Sequence, residues 1–131
     1  MKKCVVIGVT GGIAVYKALD IISALKKKDI DVRVIMTDSA TKFINPITFQ
    51  SLSNNAVAVD TFQEIKVHEI QHISLAQRAD LMLIAPATAN IIGKVANGIA
   101  DDMLSTTIMA CKSKVIFAPA MNTNMYENRI V

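Results

Sequence analysis

The sequence predicts a three-layer α/β domain, in which one parallel β-sheet is covered by helices on both faces. Five short segments are apolar along most of their length, and segments with helical spacing of apolar residues separate them. Strands that are apolar on both faces must be buried on both faces, and the helices that connect parallel strands supply that cover. The chain has 131 residues, of which 52% are hydrophobic, so it is long enough for one domain with its own core.

The chain begins with a predicted strand at residues 3–9 and an amphipathic helix at residues 13–28. Two lysines followed by an apolar run are also typical of a secretory signal. However, Gly8, Gly11 and Gly12 interrupt the run, and an amphipathic helix follows at once. A buried first strand is therefore the better interpretation.

The middle of the chain continues the alternation with a second strand at residues 31–37. Helical pieces are predicted at residues 39–53, interrupted at Pro46, because proline cannot continue a helix. A short third strand at residues 56–62 and a short helix at residues 69–79 follow.

The last third of the chain supplies two more strands and two helices. Residues 81–85 form a fully apolar strand that is predicted to end at Pro86. Helices at residues 88–97 and 102–112 precede a fifth strand at residues 114–118. This order is typical of Rossmann-like or flavodoxin-like folds, which bind ligands at the carboxyl ends of the strands.

Charge, cysteine content and hydropathy exclude several classes of function. The net charge is +3, and the one basic run, Lys26 to Lys28, falls where a helix should end, so no nucleic-acid partner is predicted. Cys4 and Cys111 match no metal or disulfide spacing, which favours a reducing, cytoplasmic setting. No stretch reaches the ~18 apolar residues that a membrane span needs.

The segment H-E-x-x-H, from His68 to His72, has the spacing of a zinc metalloprotease. A catalytic zinc site also needs a third ligand and usually a long helix that carries the motif. Here a sheet strand is predicted to begin at Leu81, soon after His72. We therefore predict no metal.

The loops that follow the strands are rich in small and hydroxyl-bearing residues, which let a planar ligand approach the backbone. The start of the first helix suits a phosphate, because its backbone N–H groups are free to donate. Gly8, Gly11 and Gly12 form neither G-x-G-x-x-G nor a P-loop, so Asp38 is a weak candidate for an NAD ribose ligand. A single phosphate, and hence a mononucleotide, is the simpler prediction.

Five stretches in register resemble the homo-oligomeric flavin-containing cysteine decarboxylases, and within them the phosphopantothenoylcysteine decarboxylases. They read G-G-I-A-V-Y-K (11–17), H-I-S-L-A-Q-R-A-D (72–80), A-P-A-T-A-N (85–90), A-N-G-I-A-D-D-M-L-S-T (96–106) and P-A-M-N-T-N-M (119–125). The resemblance covers residues 2–131. The related flavin prenyltransferases share the fold, but their first loop usually reads differently.

The resemblance implies an FMN site and a small-molecule substrate, 4′-phosphopantothenoylcysteine, which is decarboxylated to 4′-phosphopantetheine in coenzyme A biosynthesis. His72 would be the catalytic base, Asn122 would hold the substrate carboxylate, and Met125 would pack near the substrate. The residues implied to hold FMN are Gly11, Gly12, Ile13, Ala14, Ser39 and Thr88 around the phosphate, Phe43, Ala87, Ala89 and Asn90 around the ring, and Ser105, Thr106 and Ala120 in the rest of the pocket.

The resemblance also carries expectations about organisation. We expect residues 1–131 to form a single FMN-binding domain that is truncated at its C-terminus, because the family continues into a flap that bears a proton-donating cysteine. We expect a homotrimer or homododecamer. Two alternatives to the decarboxylase stay open: a non-catalytic FMN-binding regulatory or interaction subunit, and an enzyme of the flavin prenyltransferase type.

Overall fold

A computed structural model of the chain describes residues 2–59 and 74–129. Its sheet has five parallel strands in the spatial order β3-β2-β1-β4-β5. The strands are β1 (Cys4–Val9), β2 (Asp31–Met36), β3 (Ala58–Val59), β4 (Leu81–Ala87) and β5 (Lys114–Pro119). The strand order reverses between β1 and β4, so the crevice expected in such folds lies beyond their carboxyl ends.

The helices pack on both faces of this sheet. They are α1 (Val15–Lys27), α2 (Asp38–Thr41), α3 (Pro46–Ser53), the helical residues 74–78 (α4), α5 (Ala89–Ala96), α6 (Met103–Ala110) and α7 (Thr123–Tyr126). Ile22 of α1 and Phe49 of α3 are fully buried in one core, and Ile91 of α5 and Leu104 of α6 are buried in the other.

Strand β1 divides these two cores. Val5, Ile7 and Val9 belong to the core under α1 and α3, whereas Cys4 and Val6 belong to the core under α5 and α6. Successive side chains of a strand point to opposite faces, so a continuously apolar strand serves both cores. The predicted three-layer α/β fold with a parallel sheet is thereby confirmed.

The prediction that the fourth strand ends at Pro86 is wrong. β4 runs through Pro86, whose peptide bond to Ala85 is cis, and reaches Ala87. The register with β5 shifts between Ile84 and Ala87. Proline removes one N–H from the ladder, and an irregularity in the pairing is a position where a strand tolerates that loss.

Other predicted bounds differ less. β5 also extends into its proline, Pro119, and the short helix α7 was not predicted. Pro46 begins α3 at its first turn, where the missing N–H costs nothing, and the side chain of Asn45 caps that helix. Residues 60–62 of the predicted third strand and residues 69–73 of the predicted fourth helix lie outside the described residues.

Polar anchors hold the amino ends of the strands. The backbone N–H of Cys4 donates to a carboxylate oxygen of Asp80 at 2.7 Å. Asp31 accepts from Asn55 Nδ2 at 3.0 Å and from Arg33 Nε at 3.3 Å. Burial by itself would raise the pKa of Asp31, but the hydrogen bond from Asn55 and the charge of Arg33 outweigh it and hold that pKa below its usual value.

Burial also raises the pKa of the Cys4 thiol. None of the helices in the described ranges is long and apolar enough to cross a membrane.

Candidate functional site

A cavity of about 960 Å³ opens at the carboxyl ends of the strands. Four segments form most of its wall: the β1–α1 loop, the β2–α2 loop, the β4–α5 loop with the start of α5, and the segment from β5 into α7. Asp102, at the start of α6, adds to this wall. The lining of the cavity includes Thr10, Gly11, Gly12, Ile13, Ala14, Thr37, Asp38, Ser39, Pro86, Thr88, Ala89, Asn90, Ile91, Lys94, Asp102, Ala120, Met121, Asn122 and Met125. One cavity therefore lies against the small-residue loops from which a ligand site was predicted.

The β1–α1 loop lies tightly against the β2–α2 loop. A Cβ atom added at Gly11 would lie 2.6 Å from the Cβ of Ser39 and 2.9 Å from its carbonyl carbon, so only glycine fits. At Gly12 the one contact that an added Cβ would make with other parts of the described chain is with the Thr88 methyl group, at 3.9 Å. Within the described ranges the backbone N–H groups of Gly12, Ile13 and Ala14 have no partner. This loop can therefore donate several hydrogen bonds to an anion in the cavity.

Thr10 and Thr88 join the first loop to the third. The Thr10 hydroxyl donates to the backbone carbonyl of Pro86, and it accepts from the Thr88 N–H at 3.1 Å. The Thr88 side chain in turn caps α5 by accepting from the Ile91 N–H at 3.4 Å. The start of α5 is therefore held against the end of β1.

Asn122 caps α7, and the cap fixes the orientation of its amide. The Met125 N–H donates to Asn122 Oδ1 at 2.9 Å. An N–H requires an acceptor, so the side-chain oxygen must face α7 and the NH2 group must face away from it. Nδ2 has no partner in the part of the chain that the structure describes. The Ala120 N–H, which donates to the Ala87 carbonyl at 3.0 Å, holds this segment against β4.

Two charged residues of the lining pair with each other. Lys94 Nζ lies 2.9 Å from Asp101 Oδ1 and 3.5 Å from Asp102 Oδ2. The hydrogen bond to Asp101 raises the pKa of Lys94, and the same bond lowers the pKa of Asp101. Asp102 also accepts from the Ser105 N–H at 2.8 Å in a capping box at the start of α6. Lys94 and Asp102, two charged residues of the lining, are therefore both bonded to protein partners.

The cavity brings together most of the predicted site residues. Those that line it are Gly11, Gly12, Ile13, Ala14, Ser39, Thr88, Ala89, Asn90, Ala120, Asn122 and Met125.

Four predicted cofactor residues are not in the lining. The side chain of Phe43 is 52% exposed, and Ala87 is fully buried. Ser105 is buried in the capping box, and the Thr106 hydroxyl points to the Ala100 carbonyl at 3.5 Å.

The catalytic candidate His72 and its neighbour His68 lie outside the described residues. Elsewhere, in residues 2–59 and 74–129, no group of His, Cys, Asp or Glu could hold a metal ion.

Eight residues of the lining were not among the predicted FMN or substrate residues: Thr10, Thr37, Asp38, Pro86, Ile91, Lys94, Asp102 and Met121. The sequence D-x-x-S at Asp102 and Ser105 was a signal for a capping box. For Thr10 the signal was its place directly after a buried strand, at the carboxyl edge of the sheet.

The family model described as Flavoprotein matches residues 1–131. The chain belongs to the flavoprotein family. This flavoprotein-family chain is 54% identical, over 127 residues, to the coenzyme A biosynthesis bifunctional protein CoaBC of Bacillus subtilis strain 168, and the match covers 97% of the chain but 31% of that protein. The chain thus spans about a third of the length of its bifunctional relative.

Two further comparisons extend the flavoprotein assignment. The probable phosphopantothenoylcysteine decarboxylase of Streptococcus mutans is 45% identical over 132 residues, which cover 99% of the chain and 74% of that protein. The crystal structure of the FMN-dependent cysteine decarboxylase SpaF superposes with a TM-score of 0.86 at 28% identity, over 98% of the chain and 74% of SpaF.

Proposed function

We propose that this chain is an FMN-binding domain that decarboxylates 4′-phosphopantothenoylcysteine to 4′-phosphopantetheine, a step of coenzyme A biosynthesis. The observation that carries the proposal is that one cavity joins the loop from Gly11 to Ala14, which can hold a phosphate, to Asn122, which can hold a carboxylate. The names of two relatives support the reaction: the Streptococcus protein is a probable phosphopantothenoylcysteine decarboxylase, and the Bacillus protein is a bifunctional protein of coenzyme A biosynthesis.

The cavity fits FMN and a small substrate together. Its volume of about 960 Å³ lies at the upper end of the range usual for ligand pockets. The N–H groups of Gly12, Ile13 and Ala14 have no partner among the described residues, and together with the exposed Ser39 next to them they offer donors to the phosphate. When bound, FMN would supply the two-electron redox chemistry that makes loss of CO2 from the cysteinyl carboxylate feasible.

The aromatic ring of FMN would lie toward the β4–α5 loop. Ala89, Asn90 and Ala120 of that region present small or polar side chains that leave room for a planar group. Phe43 and Ala87 support the ring less directly in this proposal, because neither side chain belongs to the lining.

Asn122 would bind the carboxylate of the substrate. Its Oδ1 is engaged by Met125, so the two hydrogens of Nδ2 remain as donors, and they bring no charge that would oppose the departure of CO2. Met125, which lines the same wall, would contact the substrate. The resemblance assigns proton transfer to His72, and a neutral imidazole is suited to that role near neutral pH.

We further propose that the chain acts in the cytoplasm as a homotrimer or homododecamer. Large apolar side chains on α1 and α3 and in the loops before those helices are exposed, and association would cover them: Ile13 is 87% exposed, and Tyr16, Phe43 and Ile47 are also more than half exposed. Light scattering of the FMN-bound protein tests the assembly, and a monodisperse monomer would contradict it.

The absorption spectrum of the purified protein is the direct test of the cofactor. We expect a flavin spectrum, either as purified or after reconstitution with FMN, and release of CO2 and 4′-phosphopantetheine from 4′-phosphopantothenoylcysteine. A colourless protein that cannot be reconstituted but holds stoichiometric zinc would overturn the proposal. Bound FMN without decarboxylation would favour the non-catalytic subunit instead.

A further inference from the structure

Thr10 is a buried polar residue that the proposed chemistry does not use. It follows β1 directly and is only 2% exposed, although it also contributes to the cavity lining. Its hydroxyl makes two hydrogen bonds to a segment far away in the sequence: it donates to the Pro86 carbonyl and accepts from the Thr88 N–H at 3.1 Å.

These bonds lie beyond the end of the regular ladder. The backbone register between β1 and β4 runs from Val5–Leu81 to Gly8–Ile84. Past that point the Thr10 side chain continues the connection between the two strands. On the far side of the connection Thr88 begins α5, and Ala89 of its first turn lines the cavity.

We propose that Thr10 is a positioning residue for the cofactor site, whose hydroxyl sets the separation between the β1–α1 loop and the start of α5. The inference rests on the proposed function only in that the ligand is FMN. A hydroxyl is required because the position must donate to one backbone group and accept from another. Valine has the shape of threonine but can do neither, whereas serine can do both.

Removal of the hydroxyl would leave the buried Pro86 carbonyl and the partly buried Thr88 N–H without their partner. Buried polar groups without partners are costly, so these two groups would draw apart or admit water. Either change moves Thr88 and the first turn of α5 relative to the neighbouring Gly12, whose added Cβ would lie 3.9 Å from the Thr88 methyl group. The loss should therefore appear as weaker ligand binding and as faster exchange of the Thr88 amide hydrogen.

The experiment compares Thr10→Val and Thr10→Ser with a matched control, Thr107→Val. Thr107 is also fully buried, and its hydroxyl donates to the Met103 carbonyl at 2.7 Å, but it lies within α6 and away from the cavity. Hydrogen exchange of the Thr88 amide is measured by NMR without cofactor. The dissociation constant for FMN is measured by quenching of flavin fluorescence.

For Thr10→Val we expect Thr88 exchange that is faster by about tenfold and FMN binding that is weaker by about tenfold, the effect of one buried hydrogen-bonded group. Thr10→Ser should restore both values to within about twofold of the unmodified protein, since the hydroxyl returns. Thr107→Val should lower the urea midpoint and leave both values unchanged.

Equal effects of Thr10→Val and Thr107→Val on the two readouts would overturn the inference, as would failure of serine to restore them. If Thr10→Val does not fold, hydrogen exchange of the Thr88 amide in the unmodified protein still tests the inference. Exchange at the rate of an unprotected amide would contradict the hydrogen bond from Thr88 to Thr10. The exchange measurement needs no FMN, so a protein that binds no FMN refutes the proposed function without affecting this arm.

Discussion

Replacement of Gly11 by alanine tests whether contact between two loops shapes the cavity. The new Cβ would lie 2.6 Å from the Cβ of Ser39, 2.9 Å from its carbonyl carbon and 3.1 Å from the backbone nitrogen of Ala40. Carbon atoms prefer separations of about 3.5–4.0 Å, so the overlap approaches ~1 Å. All three atoms belong to backbone or are attached directly to it, so no change of side-chain rotamer can relieve the overlap.

The β2–α2 loop must therefore move. Overpacking of this kind lowers the free energy of unfolding by about 1–3 kcal/mol. Ser39 would move with it, so we expect FMN affinity to fall as well. Gly93→Ala is the matched control, because the residue is inside α5 and, among the described residues, no atom beyond its chain neighbours and the backbone of its own helix lies within 4 Å of the added Cβ. Alanine should stabilise that helix by roughly 0.5–1 kcal/mol.

The assay is urea unfolding of both variants, followed by titration with FMN. We expect opposite shifts of the midpoint with an unchanged slope, and weaker FMN binding only for Gly11→Ala. A midpoint and an affinity for Gly11→Ala that both equal those of the unmodified protein would mean that the two loops adjust freely, and the steric argument would be wrong.

Three further predictions use other parts of the molecule. Asn122→Asp should keep the cap on the Met125 N–H and leave the urea midpoint unchanged. It should weaken binding of the substrate by about tenfold or more, because the new aspartate would face the carboxylate of the substrate. An unchanged KM in a steady-state assay would contradict this. His72→Asn should abolish decarboxylation and leave FMN bound, whereas His68→Ala should be nearly silent; equal losses would restore the paired metal-ligand interpretation. The pKa of Asp31 is lowered on folding, so its contribution is present above its ordinary value of 3.8 and is lost as pH falls through the lower folded pKa. Asp31→Asn should therefore lower the urea midpoint at neutral pH, and the difference from the unmodified protein should shrink in acid; a constant difference would refute the assignment.

The sequence was most informative where periodicity alone determines structure. The apolar runs at β1 and β4 have no polar face, so they fit only a sheet covered on both sides. The same reasoning located the cavity, since loops that follow parallel strands meet at one edge of the sheet. Gly11 and Ser39 were both predicted site residues, and their contact shows how close the two loops come.

What could not be predicted depends on contacts between distant parts of the chain. Thr10 bonds to Thr88, and no local pattern relates the two positions. Ser105 was predicted to bind the cofactor, but its hydroxyl donates to Asp102 in the cap of α6. A serine three residues after an N-cap aspartate can use its hydroxyl for the cap, and that hydroxyl is then engaged within the protein. Pro86 was read as the end of a strand because a proline lacks one ladder donor, yet the register shift with β5 accommodates it.

Most of the cavity wall comes from four separate stretches of chain, near residues 10–14, 37–39, 86–94 and 120–125. No single stretch contains the whole binding surface, so full affinity requires the folded domain. A ligand that touches all four recognises only the completed sheet and not the unfolded chain, so it stabilises the whole domain by mass action, by about 2.7 kcal/mol at a concentration of 100 times its Kd. The supply of that ligand would then set how long newly made chains survive proteolysis, and the abundance of the protein would follow the abundance of its cofactor.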